Sequence, residues 1–256
     1  MSNMKKTVDV IIPNFNKGNF ISEAIESVIN QTYKNWKIYI VDDNSTDNSK
    51  KILQRYKKEK KINIFYLKEN KGPAFCRNYA LKRSKSNFIA FLDSDDYWFK
   101  NKLKSQLNFM VKKNHPFTFS DYTPVFHGKN FVKKLAPTKI INKFTFKKFI
   151  KNSSINTSTM ILDRKNIKNL KFKNLDLMED YIFKCELMKK TNIPFIKFPK
   201  STAIYRIIDK SRSSQKIKNI YNLWLINKDY NKLNFIENLI SIIFMSFNSI
   251  KKYGFK

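Results

Sequence analysis

The sequence predicts an α/β fold: a Rossmann-like, mostly parallel sheet flanked by helices, with a helical extension at the C-terminal end. Two observations lead there. Between Thr7 and Leu92, short continuous apolar runs alternate with stretches of helical periodicity, the order that builds a parallel doubly wound sheet. Polar and aromatic clusters also stand at the ends of those apolar runs, and such sheets bind ligands beyond the carboxyl ends of their strands.

Thr7 to Ile12 reads as the first buried strand, closed by the turn-forming group Pro13-Asn14-Phe15-Asn16. Ile21, Ile25, Val28 and Ile29 then recur at helical spacing, with Ser22 as a candidate cap and Glu23 and Glu26 on the polar face. Trp36 to Val41 is a second strand, running into Asp42-Asp43-Asn44-Ser45-Thr46-Asp47. A helix over Asn48 to Lys60 and a third strand over Ile62 to Leu67 follow. Next come a Gly-Pro loop from Asn70 to Pro73, a helix through Arg77-Asn78-Tyr79-Ala80-Leu81, and a fourth strand from Phe88 to Leu92.

The fourth strand delivers Asp93, Asp95 and Asp96, three carboxylates within four residues. They repel one another unless a cation or hydrogen-bond donors sit among them, and hard oxygen ligands suit Mg²⁺ or Mn²⁺. The alternative is an Asp-rich turn that caps the next helix, Lys100 to Lys113. Clusters at the ends of several strands in register favour a shared crevice with an aromatic ring, paired acids, an arginine and a metal. No glycine-rich turn follows the first strand, and 4 glycines in the whole chain exclude a phosphate-cradling Rossmann fingerprint.

Bulk composition sets wider bounds. With 256 residues, 42% apolar and 15% aromatic, the chain has the means to bury a core. A net charge of +31, from 51 Lys+Arg against 20 Asp+Glu, favours anionic partners: nucleic acid, an acidic membrane surface or phosphorylated ligands. Most of the cations are lysines, and isoleucine and asparagine are abundant too, so part of this charge also reads as a solvated surface with a genomic bias. Cys76 and Cys185 match no metal or redox spacing. No signal peptide and no apolar run of about 18 residues is seen, so a cytoplasmic location is the expectation.

The ordered motifs resemble the inverting family 2 glycosyltransferases with the GT-A fold. They are Ile12-Pro13-Asn14-Phe15-Asn16, Val41-Asp42-Asp43-Asn44-Ser45-Thr46-Asp47, Asn70-Lys71-Gly72 with Arg77-Asn78, and Leu92-Asp93-Ser94-Asp95-Asp96. Met178-Glu179-Asp180-Tyr181 resembles the family's Glu-Asp motif, and Tyr205-Arg206 with Ser211-Arg212-Ser213 its distal loop. The set spans roughly residues 7 to 215 and is specific as an ordered series. The later part resembles bacterial surface-polysaccharide enzymes of the teichuronic-acid type.

The resemblance implies a role for each position. Asp43 would hydrogen-bond the base, Phe15 would stack on it, and Arg77 would assist, with Pro13, Asn16, Asp42 and Ser94 also lining the nucleotide site. Asp93 would contact the ribose, Asp95 the metal, and Asp96 would be a second metal ligand. Asp180 would be the catalytic base and Glu179 would lie on the acceptor side, partial burial raising one of their two pKa values. The donor would be a nucleotide sugar, UDP-linked, and the acceptor a glycan or lipid-linked glycan. The distal loop lacks the family's histidine, so Asp209 or water would complete the metal shell, or Arg206, Lys210 and Arg212 would neutralise the diphosphate directly. His115 and His127 read as surface or satisfied histidines.

Residues 1–98 thus form the expected nucleotide-sugar half and 99–215 the acceptor-side half, with strands over Phe117 to Tyr122 and Asn156 to Leu162 and Thr157-Ser158-Thr159 facing the cleft. Glu179 and Asp180 would open a helix running to Lys189. The tail, 216–256, has helical spacing at Ile217, Ile220, Tyr221, Trp224 and Leu225, then an apolar stretch from Phe235 to Ile250 broken by polar residues. It reads either as an interfacial helix on acidic headgroups at the inner face of the membrane or as a helix pair packed on the catalytic domain. A nucleic-acid-binding protein is the rival class. Scattered lysines and the lack of a recognised motif weigh against it, and no nucleic-acid partner is expected. A nucleotidyltransferase or an inactive relative on the same fold is the nearer alternative.

Overall fold

The computed structural model describes residues 6–128, 131–167, 171–175, 178–208 and 216–253. In chain order the elements are β1 (Val8–Asn14), α1 (Ile21–Ile29), β2 (Trp36–Asp42), α2 (Ser49–Gln54), β3 (Ile62–Tyr66), α3 (Gly72–Arg83), β4 (Phe88–Phe91), β5 (Tyr97–Trp98), α4 (Lys102–Lys113) and β6 (Phe117–His127). They continue with β7 (Val132–Lys134), β8 (Lys143–Phe144), α5 (Phe146–Phe149), β9 (Ile161–Asp163), α6 (Glu179–Thr191), β10 (Phe195–Ile208), α7 (Lys216–Asp229) and α8 (Phe235–Tyr253). A single 3₁₀ turn, Thr157–Thr159, precedes β9.

The strands lie in one sheet of order β3-β2-β1-β4-β9-β6-β10-β5, with β7 on β6 and β8 on β10. β3, β2, β1 and β4 are mutually parallel, as the apolar runs predict; Val10 and Ile11 of β1 lie between Ile38 and Tyr39 of β2 and Ala90 and Phe91 of β4. Beyond β4 the sheet turns mixed: β9 is antiparallel to both β4 and β6, while β10 is parallel to β6 and antiparallel to β5. Chain direction reverses its lateral course between β1 and β4, and this switch point opens the crevice.

Continuous Val/Ile/Phe runs in β1, β2 and β4 are buried because helices cover both faces of the sheet. Several local expectations shift. Ser22 is not a cap: it sits inside α1 and bonds the Tyr56 hydroxyl at 2.7 Å, while Phe20 occupies the cap position. The helix after β2 is only Ser49–Gln54. The expected strand over Asn156–Leu162 is instead the 3₁₀ turn followed by a three-residue strand. Gly72 begins α3 at φ +81°, a left-handed value suited to glycine, so the Gly-Pro pair starts a helix rather than forming a loop.

Asp9 shows how the sheet is tied to its surroundings. Fully buried, its carboxylate accepts the backbone N–H groups of Lys85 (2.8 Å) and Ser86 (2.7 Å) and the Ser86 hydroxyl (2.7 Å), with Arg164 3.6 Å away. Removing it orphans these donors. Asp9→Ala is expected to lower unfolding free energy by about 3 kcal/mol in urea titrations. A loss under about 1 kcal/mol would show that water takes over those donors.

Candidate active site

The C-terminal ends of β1, β2 and β4 bring the first, second and fourth motifs to one rim, and α3 begins beside them. Phe15 leaves β1 with its ring 44% exposed, the geometry a stacking platform requires. Asn16 follows with φ 50°, and its amide oxygen accepts the N–H groups of Thr46 (2.8 Å) and Asp47 (3.3 Å). The loops after β1 and β2 are thereby locked together. Pro13 and Asn14 complete β1; Asn14 donates to Asp42 at 2.7 Å.

Asp42 takes a different task from the one expected. It is fully buried and accepts Ser45 N–H (2.9 Å), the Ser45 hydroxyl (2.7 Å) and the Asn14 amide, bonds that shape the loop. Asp43 accepts Lys71 N–H (2.7 Å) and Gly72 N–H (2.8 Å), so it anchors the first turn of α3 to the rim.

The acids after β4 diverge. Asp93 is paired with Arg77 (2.7 Å) and Asp95 with Lys17 (2.7 Å). Asp96 points inward, accepting the Ser158 hydroxyl (2.6 Å) and Arg206 N–H (3.0 Å). Burial, then Asp95 and Asp93, raise its pKa well above the usual carboxylate range. Each of its oxygens accepts from a protein donor here, where the resemblance implied a second metal ligand. Ser94 is buried in the same turn. Among the described residues no three His, Cys, Asp or Glu side chains gather as a metal cage.

Arg77 is buried and bridges Asp93 to Glu179 (2.9 Å), its guanidinium lying over Phe172. Burial opposes its charge, but the two carboxylates outweigh that and hold its pKa above the ordinary value. Arg206 also differs from expectation. It lies in β10 rather than a loop, and its side chain is 3% exposed. Its guanidinium donates to Asp95 O (2.7 Å), His127 Nε2 (3.3 Å) and Glu23, and stacks over Phe20 and Tyr97. Where the resemblance implied a diphosphate contact, the side chain here braces the acid loop, and it satisfies His127. Lys210, Arg212 and Asp209 lie outside the described residues.

Glu179 and Asp180 open α6 as predicted, favoured there by the helix dipole. Asp180 is 39% exposed; its Oδ2 accepts from Lys184 Nζ (2.7 Å) and Thr157 Oγ1 (3.1 Å). Burial pushes its pKa up, but Lys184 and then Arg77 prevail and lower it to about 2. The expected upward shift therefore does not occur at Asp180. The turn Thr157–Thr159 joins the two acid centres: Ser158 holds Asp96 and Asp93 N–H (3.1 Å) while Thr157 holds Asp180. These turn residues are buried supports rather than cleft-facing groups. Lys102, buried in α4, fixes the turn further by donating to Thr159 O (3.0 Å).

The family model described as glycosyl transferase family 2 matches residues 9–170, a span that takes in the β1, β2, α3 and β4 motifs. The chain is a family 2 glycosyltransferase. This glycosyltransferase is 33% identical over 255 residues to a putative teichuronic acid biosynthesis glycosyltransferase of Bacillus subtilis, covering 98% of this chain and 99% of that one. It is 35% identical over 253 residues to the UDP-Glc:alpha-D-GlcNAc-diphosphoundecaprenol beta-1,3-glucosyltransferase of Escherichia coli, covering 97% and 95%. Among solved structures, S. aureus TarS in complex with UDP-GlcNAc superposes with a TM-score of 0.72 at 20% identity, over 98% of this chain and 73% of that one. A mannosyltransferase of Pyrobaculum calidifontis in complex with GDP-Man and Mn²⁺ gives 0.68 at 13%, over 99% and 77%. These likenesses show the GT-A fold.

The glycosyltransferase site holds residues that its motifs did not single out. Lys184 was within reach of reasoning, because it stands four residues after Asp180 on a helix. Lys17 gave no such signal, since only the tertiary fold brings it to Asp95, while Ser158 was marked as cleft-facing but not as the partner of Asp96.

Because its pKa lies below the ordinary 3.8, Asp180 contributes stability above that value, and the contribution is lost as pH falls towards about 2. Carboxyl carbon NMR should accordingly show Asp180 ionised down to about pH 2. In Lys184→Met the midpoint should move upward. An unmoved midpoint would assign the effect to Arg77 instead.

Proposed function

We propose that this family 2 glycosyltransferase is an inverting enzyme that moves a sugar from a UDP-sugar to a hydroxyl of a lipid-linked or cell-surface glycan. One structural observation carries the reading: the Thr157–Thr159 turn is hydrogen-bonded both to the acid loop after β4 and to Asp180, which ties the proposed donor loop to the proposed base. The E. coli relative's printed activity, with a UDP-glucose donor and a diphosphoundecaprenol-linked acceptor, supports the substrate classes.

In this reading Phe15 stacks on the base, with Asn16 and Asp43 fixing the loops around it. Asp93, held by Arg77, meets the ribose. Asp180 serves as the base: Lys184 keeps it in the ionised form able to accept a proton, and the bonds from Lys184 and Thr157 to Oδ2 leave Oδ1 to receive one. As the acceptor oxygen bonds the anomeric carbon, its proton passes to Asp180. The bond to the diphosphate breaks on the opposite side, and the nucleoside diphosphate leaves with the electron pair. Single displacement gives inversion. Glu179 orients the acceptor side through Arg77.

A divalent cation fits the donor set in a limited way. Asp95 is the acid-loop carboxylate whose partner, Lys17, sits on a flexible, partly exposed side chain able to swing aside. One carboxylate plus substrate phosphates and water is a normal shell for Mg²⁺ or Mn²⁺. Bound there, the cation would act as a Lewis acid on the leaving diphosphate.

Calorimetric titration with UDP, GDP and dTDP, with and without Mn²⁺, alongside turnover with a polyprenyl-diphosphate-linked acceptor, tests the reading. Asp180→Asn should cut kcat by about 10²–10⁴-fold with nucleotide affinity unchanged. Asp95→Ala should abolish the metal-dependent part of binding. Full activity in Asp180→Asn would remove it as the base, and a folded protein that binds no nucleotide would overturn the donor site.

A further inference from the structure

The C-terminal helix presents an apolar stripe on its outer face. On α8, Ile236, Leu239, Ile243, Phe247 and Ile250 recur at three- and four-residue intervals and so share one face. That face is turned outward, with Ile236 67%, Ile243 56% and Phe247 64% exposed. Phe244 flanks it, also exposed. Two polar residues of the helix are turned inward beside Ile242 and Met245, which pack against the core: Asn238 is 1% exposed and Ser241 fully buried. Both accept from Asn227 Nδ2 of α7 (3.1 and 2.9 Å), and Ser241 Oγ donates to Ile150 O. A helix in water hides its apolar stripe, because exposing it forgoes the main gain of folding. Here the satisfied amide network fixes the opposite orientation, so the outward stripe is built in.

What could cover it is limited by charge. The stripe's surroundings are net cationic: Lys151 lies beside Phe244 (5.7 Å from its ring), and Lys228 and Lys232 are exposed on the approach to α8 against the single acid Asp229. Glu237 is the one acid within α8, and it is occupied in capping the helix through Asn234 N–H (3.1 Å). Two copies meeting through this face would bring lysines together on chains that each carry +31. An anionic bilayer offers both an apolar interior and complementary charge. At 19 residues and with polar residues throughout, α8 is a helix that lies in an interface, and no described helix is long and apolar enough to cross a membrane.

We propose that the exposed face of α8 is a membrane-docking surface that inserts its apolar stripe into an acidic lipid interface while the neighbouring lysines bind headgroups. This does not depend on the donor or acceptor assignment, and it can be tested with no sugar substrate present.

The full chain would be floated with vesicles of phosphatidylcholine alone and with added phosphatidylglycerol. Binding is expected to the anionic vesicles, to weaken with salt, and to fall about ten-fold or more in Ile243→Glu/Phe247→Glu. Both positions are exposed, so thermal melting should be unchanged. A measurement without substitution accompanies it: brominated acyl chains should quench Trp224, which is partly exposed and in edge contact with Phe235 (5.5 Å), whereas Trp36 and Trp98 are buried in the sheet. Wild-type protein that does not float, unquenched fluorescence, or equal binding by the double variant would each overturn the proposal. So would a wild-type dimer in light scattering that the same substitutions dissolve, since a second copy would then be the occupant.

Discussion

The buried carboxylate of Asp96 is the constraint on which the site depends. It takes one hydrogen bond from the Ser158 hydroxyl and one from the Arg206 backbone, and so joins three segments far apart in sequence: the acid loop, the 3₁₀ turn and β10. Burying a carboxylate is costly unless donors meet it, and the rise in its pKa expresses that cost. The arrangement persists because each donor is itself fixed. Ser158 N–H is held by Asn156 (2.8 Å) and Ser158 O by the Trp98 indole (2.7 Å), while the Arg206 side chain is locked among Asp95, His127 and Glu23. The acids that face the cleft, Asp93 and Asp95, are positioned because their neighbour faces away from it.

In the same region each cleft-facing carboxylate is met by a basic side chain. Arg77 pairs with Asp93 and Lys17 with Asp95, and Lys184 plays the same part for Asp180. These pairs differ in character. Arg77 is buried and bidentate between two acids, so it behaves as permanent structure, and breaking it would strand charge. Lys17 is partly exposed, with a flexible stem and a single partner, so its pairing is weak and exchangeable.

How far the sequence could be read follows from which forces are local. β1, β2 and β4 were legible because a strand buried on both faces needs an unbroken apolar run, and the polar residues after them marked the rim. β10 was not. Its sequence is interrupted by Lys197, Pro199 and Lys200, which matches the register shifts where it pairs with β6 and masks its 14-residue length. Arg206 was consequently read as a loop residue. Asp42 and Asp43 illustrate a different limit. An aspartate at a strand end serves equally to bind a ligand or to shape the next turn, and only the positions of Ser45, Lys71 and Gly72 distinguish the two.

The tail, for which the sequence left two readings open, is a helix pair packed on the domain. α7 and α8 are packed on the enzyme through polar groups, and that packing reaches α6. Asn227 accepts the Tyr181 hydroxyl at 2.9 Å and is held in turn by Asn231 at 2.9 Å. Tyr181 is the residue after Asp180, on the first turn of the same helix. Each amide in this network has its partner, so shifting α7 would leave buried polar groups unpaired, a penalty well above that of sliding one apolar contact past another. The position of the tail and the orientation of the helix that carries Glu179 and Asp180 are therefore set together. Asn238 and Ser241 of α8 are directed inward into this network, which leaves the stripe of Ile236, Ile243 and Phe247 to face outward.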